Sequence, residues 1–379
     1  MCRHFRDAGT FQLILEHRTL IHVVASAEWD GPGRYAFDIC NYFNRQGWKV
    51  KALTRDAKAV DRPFQEEGIE IRHAPLRDYP DIYSARALVR QFRRIPKGQG
   101  IVHVHRYNDA LTCIIARRLS GRSDIRLVAT RHKAEVGRDS FLRRIIYKGI
   151  DSHLFVSDFS KRMFLEGWAP GKCPLSEEKT SIAYNSLFHP VEELLPEPSQ
   201  GPIVAVYRGG LKKGKGLETL IEAFSMVNQK KLRLKIVGRG HPDYVDSLRS
   251  LSQKLGVTEK IDWIRGSVLP PHVLRESHFG VFPSAAPEAF GMANLELMAC
   301  GRPQISTFEG AQGEFLHPGV DALSVPPDNP EALAEAIRTL ASNPALRKKM
   351  GESSYNNYIS NFSWQRFLER LMPCYLPEK

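Results

Sequence analysis

The stretch "PEAFGMANLELMACGRP", residues 287–303, carries two glutamates, Glu288 and Glu296, in an otherwise apolar run. Carboxylates are seldom buried without a partner, so these two are candidates for holding a polar ligand. The pattern predicts a helix from about residue 292 to residue 300, stopped by "GRP". On it, the neighbours of Glu296 three and four residues away are Met292, Ala293, Ala299 and Cys300, all apolar. A helix apolar nearly all round is buried, so Glu296 would face something polar; the alternative is a narrow solvated stripe. Glu288 precedes the helix in a strand–loop–helix turn. Gly291 lets the backbone approach a ligand, and the helix start at Met292 offers free N–H groups to an anion. Glu288 would then face a group beside that anion; the alternative is an exposed loop glutamate acting as a cap.

These residues need a scaffold, and the chain predicts one. Short β-rich runs alternate with helical patterns. "LIHVVAS", "KVKALTR", "IEIRHAP", "IVHVHR", "IRLVATRH" and "SHLFVSD" read as strands with helices between them, such as "RYAFDICNYFNRQG" and "SARALVRQFRRI". A stretch rich in proline and acid, "EELLPEPSQGP", is a plausible linker. The rhythm then restarts with "IVAVYRG", "GLETLIEAFSMVNQ", "RLKIVGRG" and "FGVFPS". This is the βαβ pattern of parallel doubly wound sheets, and it predicts two α/β domains facing each other across a cleft. Ligands of such sheets sit at the carboxyl ends of the strands.

Composition agrees. A chain of 379 residues exceeds one ordinary core, and 42% hydrophobic with 25% charged residues is a globular balance. Apolar runs are too short to span a membrane. The N-terminal "MCRHFRDAGTFQLILEHR" lacks an uninterrupted apolar core and a cleavage site, so secretion is not expected. Cys2, Cys40, Cys113, Cys173, Cys300 and Cys374 are scattered, without metal or disulfide spacing, and read as reduced thiols of a cytoplasmic protein. The net charge of +12 is uneven: residues 1–195 carry 32 Lys and Arg against 23 Asp and Glu, and the remainder 22 against 19. The basic first half suits anionic lipid, nucleic acid or phosphorylated ligands.

The E-x-F-G start, the seven residues between the two glutamates and the A-C-G-x-P ending resemble the signature of the retaining glycosyltransferases of family four. The likeness continues, in order, through "GLETLIEAF", "IVGRGHP", "HPGVDALSVPPDNPEALAEAI" and "FSW". It implies the GT-B fold: two Rossmann-like domains, 1–195 on the acceptor side and 196–355 on the nucleotide-sugar side, with 356–379 forming a helix that packs back on the first. It implies that Glu296 accepts hydrogen bonds from ribose hydroxyls, that Glu288 holds donor-sugar hydroxyls, and that the N–H groups at Gly291 and Met292 meet phosphate or sugar oxygens.

A nucleoside diphosphate leaving group needs its developing charge stabilised. "YRGGLKKGKGLETLIEAF" supplies Arg208, Lys212, Lys213 and Lys215 in a glycine-rich turn. Gly210 stands where the family carries arginine, with Arg208 as a possible substitute. Lys215 best matches the family's lysine, with Lys213 as alternative; a solvated basic loop is the competing reading. "EWDGPGRYAF" places Gly31 and Gly33 in a turn matching the family's first glycine loop. "VATRHK" places His132 just past a strand, where the family's histidine touches the donor sugar. Strand alternation puts His103 and His105 on one face, His103 as a core residue and His105 as a cleft-lining one. Gly238 and Gly240 would shape a nucleotide-side loop, and Asn185-Ser186 would be structural.

The resemblance implies transfer of a sugar from a nucleotide donor to a hydroxyl of a glycan or lipid-linked acceptor, of cell-surface polysaccharide or lipopolysaccharide type. Retention would come by front-face attack, the leaving phosphate helping to take the acceptor proton. No D-x-D triplet occurs, so neither a metal nor another cofactor is expected. "RALVRQFRRIPK" and "RHKAEVGRDSFLRRIIYKG" mix cations with apolar side chains, as segments lying on an anionic membrane do, or as solvated basic helices do. Two rivals remain: a sugar-nucleotide epimerase of the same fold, and a basic nucleic-acid-binding protein. The latter leaves the two glutamates unexplained and has no aromatic-interleaved basic sheet, so nucleic acid is not an expected partner.

Overall fold

The computed structural model describes residues 18–169, 171–188, 194–266 and 269–377. The N-terminal stretch, Cys2 and part of the expected linker lie outside them. The chain divides into two units, Met1–Ala183 with Leu368–Lys379, and Tyr184–Phe367.

In the first unit, β1 (Thr19–Val24), β2 (Lys49–Thr54), β3 (Glu70–His73), β4 (Gly100–Val104), β5 (Arg126–Arg131), β6 (Ser152–Phe155) and β7 (Thr180–Ile182) form one sheet. Its order is β3-β2-β1-β4-β5-β6-β7, and the neighbouring pairs are parallel. Every residue of β1 and β4 is buried, as the central strands of a sheet covered on both faces must be. Ile21, Val23, Val102 and Val104 meet Leu88, Phe92, Cys113 and Ile114 in one core.

In the second unit, β8 (Ile203–Arg208), β9 (Leu232–Gly238), β10 (Ile261–Arg265), β11 (Phe279–Phe282), β12 (Gln304–Ser306) and β13 (Ala322–Ser324) form a parallel sheet ordered β10-β9-β8-β11-β12-β13. The helix Leu217–Ser225 buries Leu217, Leu220, Ile221 and Phe224 in one core. The helix Met292–Ala299 buries Ala293 and Leu297 with Val206, Val237 and Phe282 in another. All seven residues from Ala293 to Ala299 are buried, as the apolar pattern predicts. Truncating Leu297 to alanine would cost about 2–5 kcal/mol.

The first unit ends ahead of the expected linker because Tyr184 and Ser186 already pack in the second. Tyr184 stacks on Phe290, and Ser186 Oγ donates to the Phe362 carbonyl. The C-terminal helix Trp364–Tyr375 rejoins the first unit only from Leu368 onward. There Arg126 Nε donates to the Cys374 carbonyl.

Both sheets reverse direction at one place, between β1 and β4 in the first and between β8 and β11 in the second. At such switch points the loops leaving the strands diverge and open a crevice. The candidate residues gather there in each unit.

Candidate active site

In the second unit, the loop after β11 carries Glu288 and the loop after β8 carries Lys215. Lys215 Nζ donates to Glu288 Oε1, and Ser284 Oγ donates to the same oxygen at 3.0 Å. The backbone of Glu288 is pinned as well. Its N–H donates to the Glu309 carbonyl, and its carbonyl accepts from Ala311 N–H at 2.8 Å. Gly310, at φ +76°, passes so close that a Cβ would sit 2.4 Å from the Glu288 carbonyl oxygen. Glu288 is therefore a held residue of a built loop. Gly216, at φ +66° with its Cβ direction filled by the Pro283 carbonyl, brings Lys215 within reach.

Glu296 is 9% exposed and faces Arg208, whose Nη2 lies 3.5 Å from Glu296 Oε1. The polar partner that the apolar helix implied is thus the last residue of β8. Gly210, at the position of the family's arginine, has open space: a Cβ would meet only the Lys212 side chain, at 4.0 Å. Lys213 points away from Glu288. It is 85% exposed, pairs with Glu218 at 3.2 Å and lies over the Tyr244 ring.

Three glycines singled out in the sequence have packing reasons. A Cβ on Gly238 would sit 2.2 Å from the Gly209 carbonyl oxygen, so the loops after β8 and β9 meet backbone to backbone. Gly240 meets the Leu211 carbonyl in the same way. At Gly291 the space belongs to the Asn294 side chain, whose Nδ2 donates to Gln304 Oε1; a Cβ would lie 2.3 Å from Asn294 Oδ1. Met292 opens the helix as expected.

The first unit holds a different construction. His22 on β1 and His103 on β4 are register partners, and strand alternation stacks His105 on His103 with centroids 4.8 Å apart. His132 follows β5. Ring nitrogens and hydroxyls then form one continuous chain. His132 Nε2 and His105 Nδ1 are 3.0 Å apart, as are His105 Nε2 and His22 Nδ1. His22 Nε2 lies 3.3 Å from the Tyr375 hydroxyl, which is 2.7 Å from His103 Nδ1. His103 Nε2 reaches Thr130 Oγ1 at 2.7 Å, and Thr130 reaches the Tyr35 hydroxyl at 3.3 Å.

Burial pulls all four imidazoles far below their ordinary range, His22 and His132 to about 3. For His103 and His105 the neighbouring rings add to that effect. Each ring is neutral and carries one N–H, so donation runs in one direction along the chain. In one direction His132 Nδ1 is a bare acceptor; in the other it is a donor. That nitrogen makes no hydrogen bond among the described residues, and His132 is one of the residues lining a cavity.

The cavity, about 470 Å³, is lined by Ser26, Asp30 and Pro32 after β1, by His105 and Arg106 after β4, and by the segment from Ala129 to Arg143. Gly31 and Gly33 open the helix Gly31–Arg45 at its edge. Asp30 caps that helix: its carboxylate accepts from Gly33 N–H at 2.8 Å and from Ser26 Oγ at 3.0 Å. The Gly33 amide is thereby engaged within the chain, whereas a Cβ at Gly31 meets nothing within 4 Å.

Sequence reasoning missed Ser284, Gly310, Asp30, His22 and Tyr375. His22 had a signal, since "LIHVVAS" puts it in a central strand with the same register logic as His103. Tyr375 had none, being 272 residues from its partner His103. Among the described residues, Asp56, Asp61 and His73 could offer three ligand atoms to a cation, and they lie outside this cavity. Among those residues no helix is long and apolar enough to cross a membrane.

Residues 29–175 match the family described as Glycosyltransferase Family 4, and residues 196–357 match Glycosyl transferases group 1. An uncharacterized glycosyltransferase of Methanocaldococcus jannaschii is 24% identical over 73% of this chain and 74% of its own length. A second one from that organism is 39% identical over 93 residues, only 24% of this chain and 26% of that protein. Among solved structures, Anabaena HepE in complex with UDP and glucose has a TM-score of 0.79 at 17% identity, over 96% of this chain and 100% of that one. At such identity the likeness is one of fold, and that fold is GT-B.

Proposed function

Since this chain belongs to the family 4 glycosyltransferases and is a sugar-transferring enzyme acting on sugar-nucleotide donors, we propose that it transfers with retention and without a metal. The acceptor is a hydroxyl of a glycan or lipid-linked glycan. The observation that carries this reading is the pair of carboxylate–cation contacts at the switch point of the second unit, Glu288 with Lys215 and Glu296 with Arg208.

Each carboxylate is held by a cation rather than left bare, so the site has both signs of charge side by side. A nucleotide sugar needs both. Its hydroxyls donate to carboxylates, and its diphosphate accepts from Lys and Arg. Glu296 is assigned the ribose hydroxyls, and Glu288 the hydroxyls of the donor sugar. Lys215, Arg208 and the N–H groups at Gly291 and Met292 take the phosphates. His132 is assigned a sugar contact through its open Nδ1.

In the step itself, the acceptor oxygen bonds to the anomeric carbon as the bond from that carbon to the diphosphate oxygen breaks. The acceptor proton passes to a leaving phosphate oxygen. Lys215 and Arg208 stabilise the charge that grows there, the part a metal plays elsewhere. The products are the glycoside and a nucleoside diphosphate.

The test is a thermal-shift panel of nucleoside diphosphates and nucleotide sugars, because a ligand that binds the folded chain raises its melting temperature. HepE was solved with UDP, so UDP leads the panel. A shift of several degrees is expected for one base; no shift with any base would overturn the proposal. A place on an anionic membrane surface is supported by the basic, apolar-edged segments 86–97 and 131–149, where Phe141 and Leu142 are exposed. Co-sedimentation with anionic vesicles at low salt checks it, and absence of binding would refute it.

A further inference from the structure

We propose that Tyr375 is a positioning residue: through His22 and His105 it holds His132 in the Nε2–H form and so presents His132 Nδ1 as a hydrogen-bond acceptor to a ligand hydroxyl. That the hydroxyl belongs to the donor sugar rests on the contact assigned to His132 above.

Tyr375 ends the C-terminal helix and is 1% exposed. Its ring packs against Phe43 and Trp48, with centroids 5.6 and 6.4 Å apart. The residue before it is tied to β5, since the Cys374 carbonyl accepts from Arg126 Nε. The phenol oxygen is thus fixed between two imidazoles. It lies 2.7 Å from His103 Nδ1 and 3.3 Å from His22 Nε2. A hydroxyl makes its shorter bond where it donates, so Tyr375 donates to His103 and accepts from His22.

That one choice propagates, because each neutral ring carries a single ring N–H. His22, with its hydrogen on Nε2, accepts at Nδ1 from His105 Nε2. His105 accepts at Nδ1 from His132 Nε2. On the other side His103 accepts at Nδ1 and donates from Nε2 to Thr130 Oγ1, 2.7 Å away. The links run head to tail, Nε2 to Nδ1, so all four rings share one tautomer. Reversing His132 alone would set two bare nitrogens face to face inside the fold and leave both unmet. His132 lines the cavity at the end of this chain, so its form is decided at Tyr375, three hydrogen bonds away. A bare Nδ1 takes a hydroxyl, which can donate, and offers nothing to a carbonyl or an ionised phosphate oxygen. The chain therefore selects the kind of oxygen that meets His132.

The experiment uses the full chain with its imidazoles labelled with nitrogen-15, read by NMR near pH 7.5, the His132 signals being assigned from His132→Ala. In the unsubstituted chain all four rings are expected as Nε2–H. Tyr375→Phe keeps the packed ring and removes the hydroxyl. His132 is then expected to take up the Nδ1–H form as well, because His22 Nε2 no longer has an acceptor. A tyrosine with a merely packing role would leave that form unchanged. Calorimetry then compares UDP-glucose with UDP, or the corresponding pair for whichever base leads the thermal panel. Tyr375→Phe is expected to weaken the nucleotide sugar about five- to tenfold and to leave the nucleoside diphosphate as it was. In a His132→Ala background the same substitution is expected to cost nothing further, since residues acting through one contact are not additive. The unsubstituted chain alone can overturn the inference, by showing rings in opposite forms or all four as Nδ1–H. An unchanged His132 in Tyr375→Phe, or a full further loss in the His132→Ala background, overturns it too. If the rings behave as stated and no nucleotide sugar binds, the transfer reading has failed while the role of Tyr375 stands.

Discussion

The two units place their candidate residues at the same point of the same topology, yet they solve the burial of polar groups in opposite ways. The first removes charge. Its four imidazoles are desolvated into the neutral form, and all their ring nitrogens but His132 Nδ1 meet one another, Tyr375 or Thr130. The second keeps charge and pairs it, carboxylate against cation. A neutral chain can reverse its polarity without paying for a buried ion, whereas a paired ion can be handed from its protein partner to a ligand. The first construction suits orientation of a hydroxyl, the second recognition of a diphosphate and its sugars.

The largest consequence of that contrast is expected in acid. In the folded chain His22 and His132 titrate at about 3, while an unfolded histidine takes its proton near 6.5. The stability these rings contribute is therefore present above pH 6.5 and lost as pH falls from 6.5 towards 3. Each ring accounts for up to about 1.4 kcal/mol per pH unit in that window. Melting temperature should drop steeply below pH 6, and His22→Asn should be less stable at pH 7.5 but show a shallower drop. A melting temperature unchanged from pH 7 to pH 5 would contradict the neutral chain.

In the second unit the expected losses are in activity. Glu288→Ala should lower kcat on the order of 10²–10³-fold with the fold intact, since it removes a group beside the reacting carbon. Glu296→Ala should instead weaken donor affinity by roughly ten- to a hundredfold, the loss of a charged hydrogen bond. Equal effects of both on kcat alone would erase the distinction between them; single-turnover kinetics against donor titrations reads it.

Arg208→Ala is expected to reduce nucleotide affinity by about tenfold. Adding Gly210→Arg to that variant should recover part of it, because the space at residue 210 is open. No recovery would mean that position 208 acts through its contact with Glu296 alone. The smallest effect, less than about twofold in donor KM, is expected for Lys213→Ala, whose partner Glu218 is a surface pair. A larger loss would move the phosphate site away from Lys215.

Much of the second unit's site was legible because it is local. Glu288 and Glu296 share one strand–loop–helix segment, and helix geometry alone separated the buried carboxylate from the loop one. Lys215 and Gly216 could be placed at a helix start from glycine and period. The first unit resisted because its site is assembled from three strands and two helices. His103 could be read as a core histidine and His105 as a neighbour on the same face. His22 was signalled only by its place in the strand "LIHVVAS", which does not show that its ring joins theirs.

By itself the sequence determined two parallel α/β units, the buried helix behind Glu296 and a basic glycine-rich turn, because hydrophobic period and glycine placement act over a few residues. Only the tertiary structure decided that Arg208 is the partner of Glu296, that Lys213 faces away, and that Gly33 is engaged by its own helix cap. It also decided that Tyr375 closes a chain of histidines. Those facts depend on strand order and side-chain direction across the sheet, which spacing along one chain does not encode.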